Sequence, residues 1–279
     1  RINVRGFNQR NVAVMINGVP QNDMENGWVY WSNWDGVGDA TASIQMQRGL
    51  SAVNLATPSI GGTMNIITDP TAFEKGGLYK QEFGEAGFLK TTLNLNTGLM
   101  MGDKLALSGT LVRKTGDGLI DATWTDAWAY YMGASYAISD DQRIEAYIVG
   151  APQRHGQNLY KQNIATYSQE LAGDVDGYDV TSFEEGAKFE TEAGRFYNQN
   201  WGPVSSDYTG KQYWYMYGVG GLFGNGNQPR YNSDFLNERE NFFHKPLMNI
   251  NHFLTINEKT RLSSILYWSG GSGGGTGTY

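Results

Sequence analysis

Few residues of this 279-residue sequence have the types and spacing that chemistry requires. The histidines are His155, His244 and His252, and they lack the i, i+4 spacing of a helical zinc site. Gly210-Lys211 lacks the leading glycine and the following hydroxyl residue of a phosphate-binding loop. Cysteine is absent. We therefore predict no catalytic residues, no metal site and no enzymatic activity.

An acidic segment, GDVDGYD, raises the question of a calcium site in a long loop. If Asp174 took the first position of an EF-hand loop, Asp176 would take the third and Glu185 the twelfth, which is in register. The sixth position needs glycine for a sharp turn, but here it is Asp179. A polar loop without calcium is the favoured interpretation, so no cofactor is predicted.

The composition narrows the class of protein. The chain carries 21 basic and 28 acidic residues, a net charge of −7 and a pI near 5.0, which argues against a nucleic-acid partner. The mean hydropathy is −0.46, and no apolar run approaches the length of a membrane-spanning helix. Thirty-seven glycines, 13% aromatic residues and only 18% charged residues favour an all-β fold.

The pattern of apolar and polar residues changes along the chain, and from this change we predict a small domain at 1–72 and a second domain at 73–279. The first has short strands, with a hairpin signal at Asn17-Gly18. The second has about seven strands of roughly ten alternating residues, the length of a tilted membrane-spanning strand. Its short connections alternate with long ones, including a long extracellular loop predicted at 152–244. This pattern is typical of an antiparallel transmembrane β-barrel.

Aromatic side chains near the strand ends fit the girdles that mark the two membrane interfaces of such barrels. The aromatic residues assigned to these girdles are Tyr79, Trp128, Tyr130, Tyr131, Tyr136, Tyr147, Tyr267 and Trp268.

Four motifs of the first domain occur in an order and at spacings that resemble the second, C-terminal half of the plug domain of TonB-dependent outer-membrane receptors. They are Arg5-Gly6, Asn17-Gly18-Val19-Pro20, the strand from Ile44 to Gly49, and Gly61-Gly62 with the strand to Thr68. Gln45, Leu50 and the segment LATPS depart from the commonest family pattern and resemble the SusC-like branch of Bacteroidetes-type organisms.

The resemblance implies a mixed-sheet plug followed by a barrel that is 22-stranded when complete, of which this chain would be one part. It implies a receptor in the outer membrane of a Gram-negative bacterium, in contact with lipid, that imports a scarce nutrient by energy-coupled plug movement. The implied partners are the TonB–ExbB–ExbD complex, acting through an upstream segment, and a SusD-like surface lipoprotein. A structural subunit that transports nothing is the alternative.

Within this interpretation, the aromatic segment NGWVYWSNWDG is expected to face the outer vestibule and to bind ligand. Packing of the same rings against the barrel wall is the alternative, and the sequence does not decide between them. The candidate ligand-binding residues are Asn22, Asp23, Glu25, Trp28, Tyr30, Trp31 and Trp34. The segment from Arg195 to Gly221 is a second candidate surface.

Two plug arginines are expected to lock the plug in the barrel through ion pairs that force can release. Arg5 and Arg48 each precede a glycine, and Glu82 and Glu145 are the candidate partners on the barrel wall. Ordinary surface arginines are the alternative.

Overall fold

The computed structural model describes residues 3–49, 59–158, 163–178, 192–198, 200, 213–215, 227–229 and 239–276. The strands are β1 (Asn3–Val4), β2 (Phe7–Asn8), β3 (Val12–Ile16), β4 (Val19–Pro20), β5 (Ser43–Arg48), β6 (Gly62–Ile67), β7 (Gly76–Phe83), β8 (Leu89–Met100), β9 (Leu105–Gly116), β10 (Thr125–Ser139), β11 (Gln142–Gly150), β12 (Gln153–Gly156), β13 (Tyr213–Tyr215), β14 (Asn227–Pro229), β15 (Glu240–His244), β16 (Leu247–Asn257), β17 (Thr260–Ser269) and β18 (Ser272–Gly275). The α-helices are α1 (Ile164–Tyr167) and α2 (Gln169–Gly173), and 3-10 helices span Gln9–Asn11, Trp31–Trp34, Val37–Ala40 and Pro70–Ala72. Within these ranges, the helices are too short or too polar to cross a bilayer.

A small mixed sheet forms the core of the first domain, which we call the plug (residues 3–72). Its strand order is β4-β3-β6-β5, with β3 and β6 parallel and the other pairs antiparallel. β3 is a run of apolar residues that is buried throughout. Asn17 and Gly18 have φ values of 49° and 83°, which confirms the predicted hairpin turn between β3 and β4.

The second domain is an antiparallel sheet, which we call the wall. Its seven strands run in the order β7-β8-β9-β10-β11-β16-β17. Short turns after β8, β10 and β16 lie at one end, the turn end, and the longer connections lie at the other, the loop end. The prediction of an all-β plug followed by an antiparallel barrel sheet is confirmed for the described residues.

The wall is apolar outside and polar inside. On the outer face, Leu111, Ile250 and Leu95 are 45%, 49% and 57% exposed. On the inner face, Thr92 and Asn251 are buried at 1% and 4% exposure. This distribution is the reverse of a soluble sheet and matches a barrel whose outer face contacts lipid.

Three strands extend the wall beyond its loop end. β12 pairs with β10 and β15, and β18 pairs with β15. The segment 152–244 predicted as a loop therefore begins and ends in sheet structure. The sequence did not reveal β12 and β15 as strands because a proline precedes or follows each of them. Pro152 separates β12 from β11 and Pro246 separates β15 from β16, and proline interrupts the hydrogen-bond ladder of a sheet.

Two aromatic residues assigned to the membrane girdles face inward instead. Tyr131 and Tyr147 are 2% and 5% exposed, and their rings stack 6.4 Å apart beneath the plug. Successive strand residues point to opposite faces, so Tyr131 takes the face opposite to its neighbour Tyr130. The girdle assignment was wrong for these two residues.

Candidate functional site

The plug meets the inner face of the wall through a small apolar core. Trp34, at the end of the 31–34 helix, is 3% exposed and belongs to one buried cluster with Tyr131, Tyr147 and Leu247 of the wall. Lys245 lies 5.9 Å from the centre of the Trp34 ring, within the range of a cation–π contact. The aromatic segment therefore lies against the wall near the loop end.

The plug backbone packs tightly against the wall at Gly36. Its φ of 88° lies in the left-handed region, which glycine adopts without strain. A Cβ atom placed at Gly36 would lie 2.3 Å from the Cβ of Ala129 and 3.5 Å from Val112. Glycine at this position allows the plug backbone to lie flush against β9 and β10.

Two ion pairs flank Gly36 and join the plug to the wall. Lys90 Nζ lies 2.9 Å from Asp39 Oδ2 and donates a hydrogen bond to Asp39 Oδ1 at 3.0 Å. Asn94 Nδ2 adds a 2.7 Å hydrogen bond to the backbone oxygen of Asp39. Lys114 pairs with Asp35. The acids lie on the plug and the lysines on the wall.

A second group of polar contacts holds the plug between its β3–β4 turn and the end of β6. Tyr131 donates a hydrogen bond from its hydroxyl to the backbone oxygen of Thr68. Asn251 Nδ2 donates to the backbone oxygen of Asn17 at 3.1 Å. Asn17 and Thr68 are themselves joined by reciprocal hydrogen bonds of 2.8 and 3.0 Å. The wall therefore binds two plug segments that are already tied together.

The predicted lock between Arg5 and the wall glutamates is not formed. Glu82 pairs with Lys80 and Lys90, and Glu145 pairs with Arg143 and accepts a 2.7 Å hydrogen bond from the Tyr147 hydroxyl. These partners are close along the same or the neighbouring strand, so they engage the carboxylates without help from the plug.

Arg5 lies in the exposed turn between β1 and β2, and no described acid is within ion-pair distance of it. The side chain of Arg48 lies outside the described part of the structure. The ion pairs that do join plug and wall thus have the opposite polarity to the prediction.

Asn22 and Asp23, two of the candidate ligand residues, shape the plug itself. Asn22 accepts a hydrogen bond from the backbone N–H of Val14 at 2.8 Å. Its Nδ2 donates to the backbone oxygens of Val12 and Gly27, both at 3.0 Å. Asp23 Oδ1 accepts from two backbone N–H groups of the following turn. The polar atoms of Asn22 are therefore used within the plug.

The candidate aromatic residues divide into a packed and an accessible group. Trp34 is buried in the core, and Trp31 packs against it while donating a 3.0 Å hydrogen bond to Gln9. Tyr30 is 52% exposed, and Trp28 is half-buried, with the Arg10 guanidinium 4.6 Å from its ring centre. Glu25 is exposed beside them.

Asp35, Asp39, Lys90 and Lys114 were missed by the sequence interpretation. The two lysines occupy inward positions of β8 and β9, where isolated charges need partners. The inward positions of these two lysines could have been read from the alternation of the strands, and they would have indicated that each lysine needs an acidic partner. The acids that neutralise them could not be identified, because the pairs join residues 51 and 79 positions apart.

His155 lies in the loop-end extension near Lys114. Burial lowers the pKa of its imidazole, and the positive charge of Lys114 lowers it further. Its ring nitrogens contact Gln153 Oε1 at 2.6 Å and Gln157 Nε2 at 3.3 Å. A neutral imidazole suits these neutral partners.

The described residues contain no group of three or more acidic or histidine side chains arranged to hold a metal ion. Asp174 and Asp176 lie just after α2, whereas Asp179 and Glu185, the other members of the acidic segment considered for calcium, lie outside the described residues. Most of the second candidate surface, 195–221, also lies outside them.

No protein-family model matches the chain, and no curated protein sequence matches it either. Solved structures do. The open form of the ferric-catecholate import receptor Fiu of E. coli K12 matches with a TM-score of 0.58 at 14% identity, over 97% of this chain and 33% of that one. The ferric yersiniabactin uptake receptor FyuA of Yersinia pestis matches with a TM-score of 0.56 at 14% identity, over 99% and 34%. The alcaligin outer-membrane receptor FauA of Bordetella pertussis matches with a TM-score of 0.56 at 8% identity, over 96% and 31%.

The chain thus has the plug-and-barrel fold of TonB-dependent receptors and spans about a third of the length of the structures that it matches. The names of the first two neighbours describe an import receptor and an uptake receptor, and that of the third describes an outer-membrane receptor.

Proposed function

We propose that this chain is part of an outer-membrane transporter that binds a scarce nutrient outside the cell and imports it by energy-coupled movement of the plug. The observation that carries the proposal is the way the plug is held. Apart from the core around Trp34 and the contact of Gly36 with Ala129 and Val112, it contacts a polar inner wall through separate ion pairs and hydrogen bonds. Water can replace such contacts, so they can be broken without exposing a large apolar surface.

The partners follow from this proposal. TonB–ExbB–ExbD would supply the force through a segment preceding this chain. The family variants at Gln45, Leu50 and LATPS support membership of the SusC-like branch, with a SusD-like lipoprotein as the surface partner. Outer-membrane lipid would cover the apolar outer face of the wall. No cofactor or nucleic acid is part of the proposal.

The accessible residues of the aromatic segment form the proposed ligand surface. Glu25, Trp28 and Tyr30 lie on the plug segment that precedes the buried 31–34 helix, and Lys245 places that helix near the loop end. Aromatic rings suit the faces of sugars and other apolar groups. We expect Tyr30→Ala to weaken nutrient binding without unfolding the plug, because the Tyr30 side chain is exposed and its one described hydrogen bond is accepted from Asn26.

The test is uptake by cells that carry the complete protein, compared with cells that lack it and with cells that lack TonB. The probes are a panel of labelled ferric siderophores and labelled oligosaccharides, which separates the ferric-complex and glycan alternatives. We expect uptake of one class to require both the protein and TonB. A protein that supports no TonB-dependent uptake of any probe, yet remains in a larger outer-membrane assembly, would instead be the structural subunit.

A further inference from the structure

Lys90 lies between two carboxylates that belong to different parts of the molecule. Asp39 Oδ2, on the plug, is 2.9 Å from Lys90 Nζ, and Glu82 Oε2, on the wall, is 3.5 Å from it. Glu82 and Lys90 are direct cross-strand partners on β7 and β8. Their separation is therefore set by the register of the wall and does not depend on where the plug is.

Only one of the two carboxylate oxygens of Glu82 has a close partner while the plug is in place. Its Oε1 pairs with Lys80 at 2.9 Å, whereas its Oε2 lies 3.5 Å from Lys90 Nζ, longer than a normal hydrogen bond, and has no other partner among the described residues. A small rotation of the Lys90 side chain away from Asp39 would bring Nζ into hydrogen-bond range of this oxygen. The wall thus holds an alternative partner for Lys90.

The other plug–wall ion pair lacks such an alternative. Lys114 pairs with Asp35 of the plug, and the described residues place no second carboxylate within ion-pair distance of its ammonium group. Withdrawal of Asp35 would leave Lys114 with water as its replacement partner and no carboxylate. The Asp39–Lys90 pair is therefore expected to separate more easily than the Asp35–Lys114 pair.

We propose that Glu82 is a positioning residue for plug release. It receives Lys90 as Asp39 withdraws, so the Asp39 contact separates easily while the Asp35–Lys114 contact retains the plug. The inference rests on the proposed function in one respect, that the plug moves. It identifies a wall residue that stabilises the released state of the plug without contacting the nutrient.

The test follows exposure of the wall beneath the plug. Thr92 lies on the inner face between Lys90 and Asn94, is 1% exposed, and its hydroxyl has no hydrogen-bond partner among the described residues, so Thr92→Cys is a mild change. This chain has no other cysteine, and any cysteine in the rest of the complete protein is first replaced by serine. The rate at which a maleimide labels this thiol in outer-membrane vesicles containing the complete protein, at fixed urea concentration, reports plug release.

Glu82→Gln is expected to slow labelling by about threefold to tenfold, because it destabilises the released state more than the bound state. Glu85→Gln, which removes the same charge from the exposed connection after β7, is the matched control and should leave the rate unchanged. Labelling that is unchanged or faster in Glu82→Gln would overturn the inference, since faster labelling is what a merely structural role of Glu82 predicts.

Repeating the measurement in the Asp39→Asn variant separates competition between Asp39 and Glu82 for Lys90 from a general effect of the negative charge of Glu82. When Asp39→Asn has already removed the plug carboxylate, Glu82→Gln should no longer slow labelling, because Lys90 then needs Glu82 in both states. Equal slowing in both backgrounds would refute the exchange of partners. Maleimide labelling does not measure transport. A failure of the uptake test would therefore refute the proposed function without deciding whether Lys90 exchanges Asp39 for Glu82.

Discussion

Gly36→Ala tests whether the plug lies as close to the wall as the structure indicates. Forcing an alanine to a φ of 88° costs about 1 kcal/mol or more. The new methyl group would lie 2.3 Å from the Cβ of Ala129, so plug or wall must move, and overpacking of this kind costs roughly 1–3 kcal/mol. The backbone strain is present whether or not the plug is seated, so the clash alone sets the shift: about 2 kcal/mol, the middle of that range, corresponds to roughly a thirtyfold shift towards the released plug.

The measurement is maleimide labelling of the Thr92→Cys thiol, which lies opposite Val112 in the sheet, close to the Gly36 contact. Gly38→Ala is the control, because Gly38 is exposed and no atom lies within 4 Å of the position that an alanine Cβ would take there. We expect a large increase in labelling for Gly36→Ala and almost none for Gly38→Ala. Equal labelling in the two variants would refute the close packing of the plug against the wall.

Three further predictions concern single side chains. Asn22→Ala should destabilise the plug by about 2–3 kcal/mol, measured by its urea midpoint, because four backbone groups lose their hydrogen bonds to the Asn22 amide; an unchanged midpoint would contradict this role. Tyr131→Phe should raise labelling of the Thr92→Cys thiol by about fivefold to tenfold, since the Thr68 oxygen loses its donor, and an unchanged rate would exclude that contact. Burial lowers the folded-state pKa of His155, so its contribution to the free energy of unfolding is fully present above the unfolded pKa of 6.5 and is lost as the pH drops below that value. His155→Gln should reduce this loss in urea titrations at several pH values. An unchanged pH profile would contradict the lowered pKa of His155.

The wall could be predicted from the sequence because alternation is a local signal. Each strand carries its own pattern, and short turns such as Asp140-Asp141 separate the strands clearly. The Asn17-Gly18 hairpin was predictable for the same reason, since both residues adopt the positive φ that the turn requires.

The plug–wall contacts could not be predicted because they depend on how two separately folded units meet. Sequence alone indicated that Glu82 needs a cation, but it did not show that Lys80 and Lys90 are nearer than Arg5. It showed that NGWVYWSNWDG is aromatic, but the split between buried Trp34 and exposed Tyr30 follows from the path of the 31–34 helix.

The most direct test of the account is plug movement in living cells. The Thr92→Cys variant of the complete protein is exposed to a maleimide in cells with and without TonB, both supplied with the panel of ferric siderophores and oligosaccharides. Energy-coupled plug movement predicts that the thiol is labelled several times faster in the cells that contain TonB. Equal labelling in the two strains would contradict the proposal that the plug moves to import a nutrient.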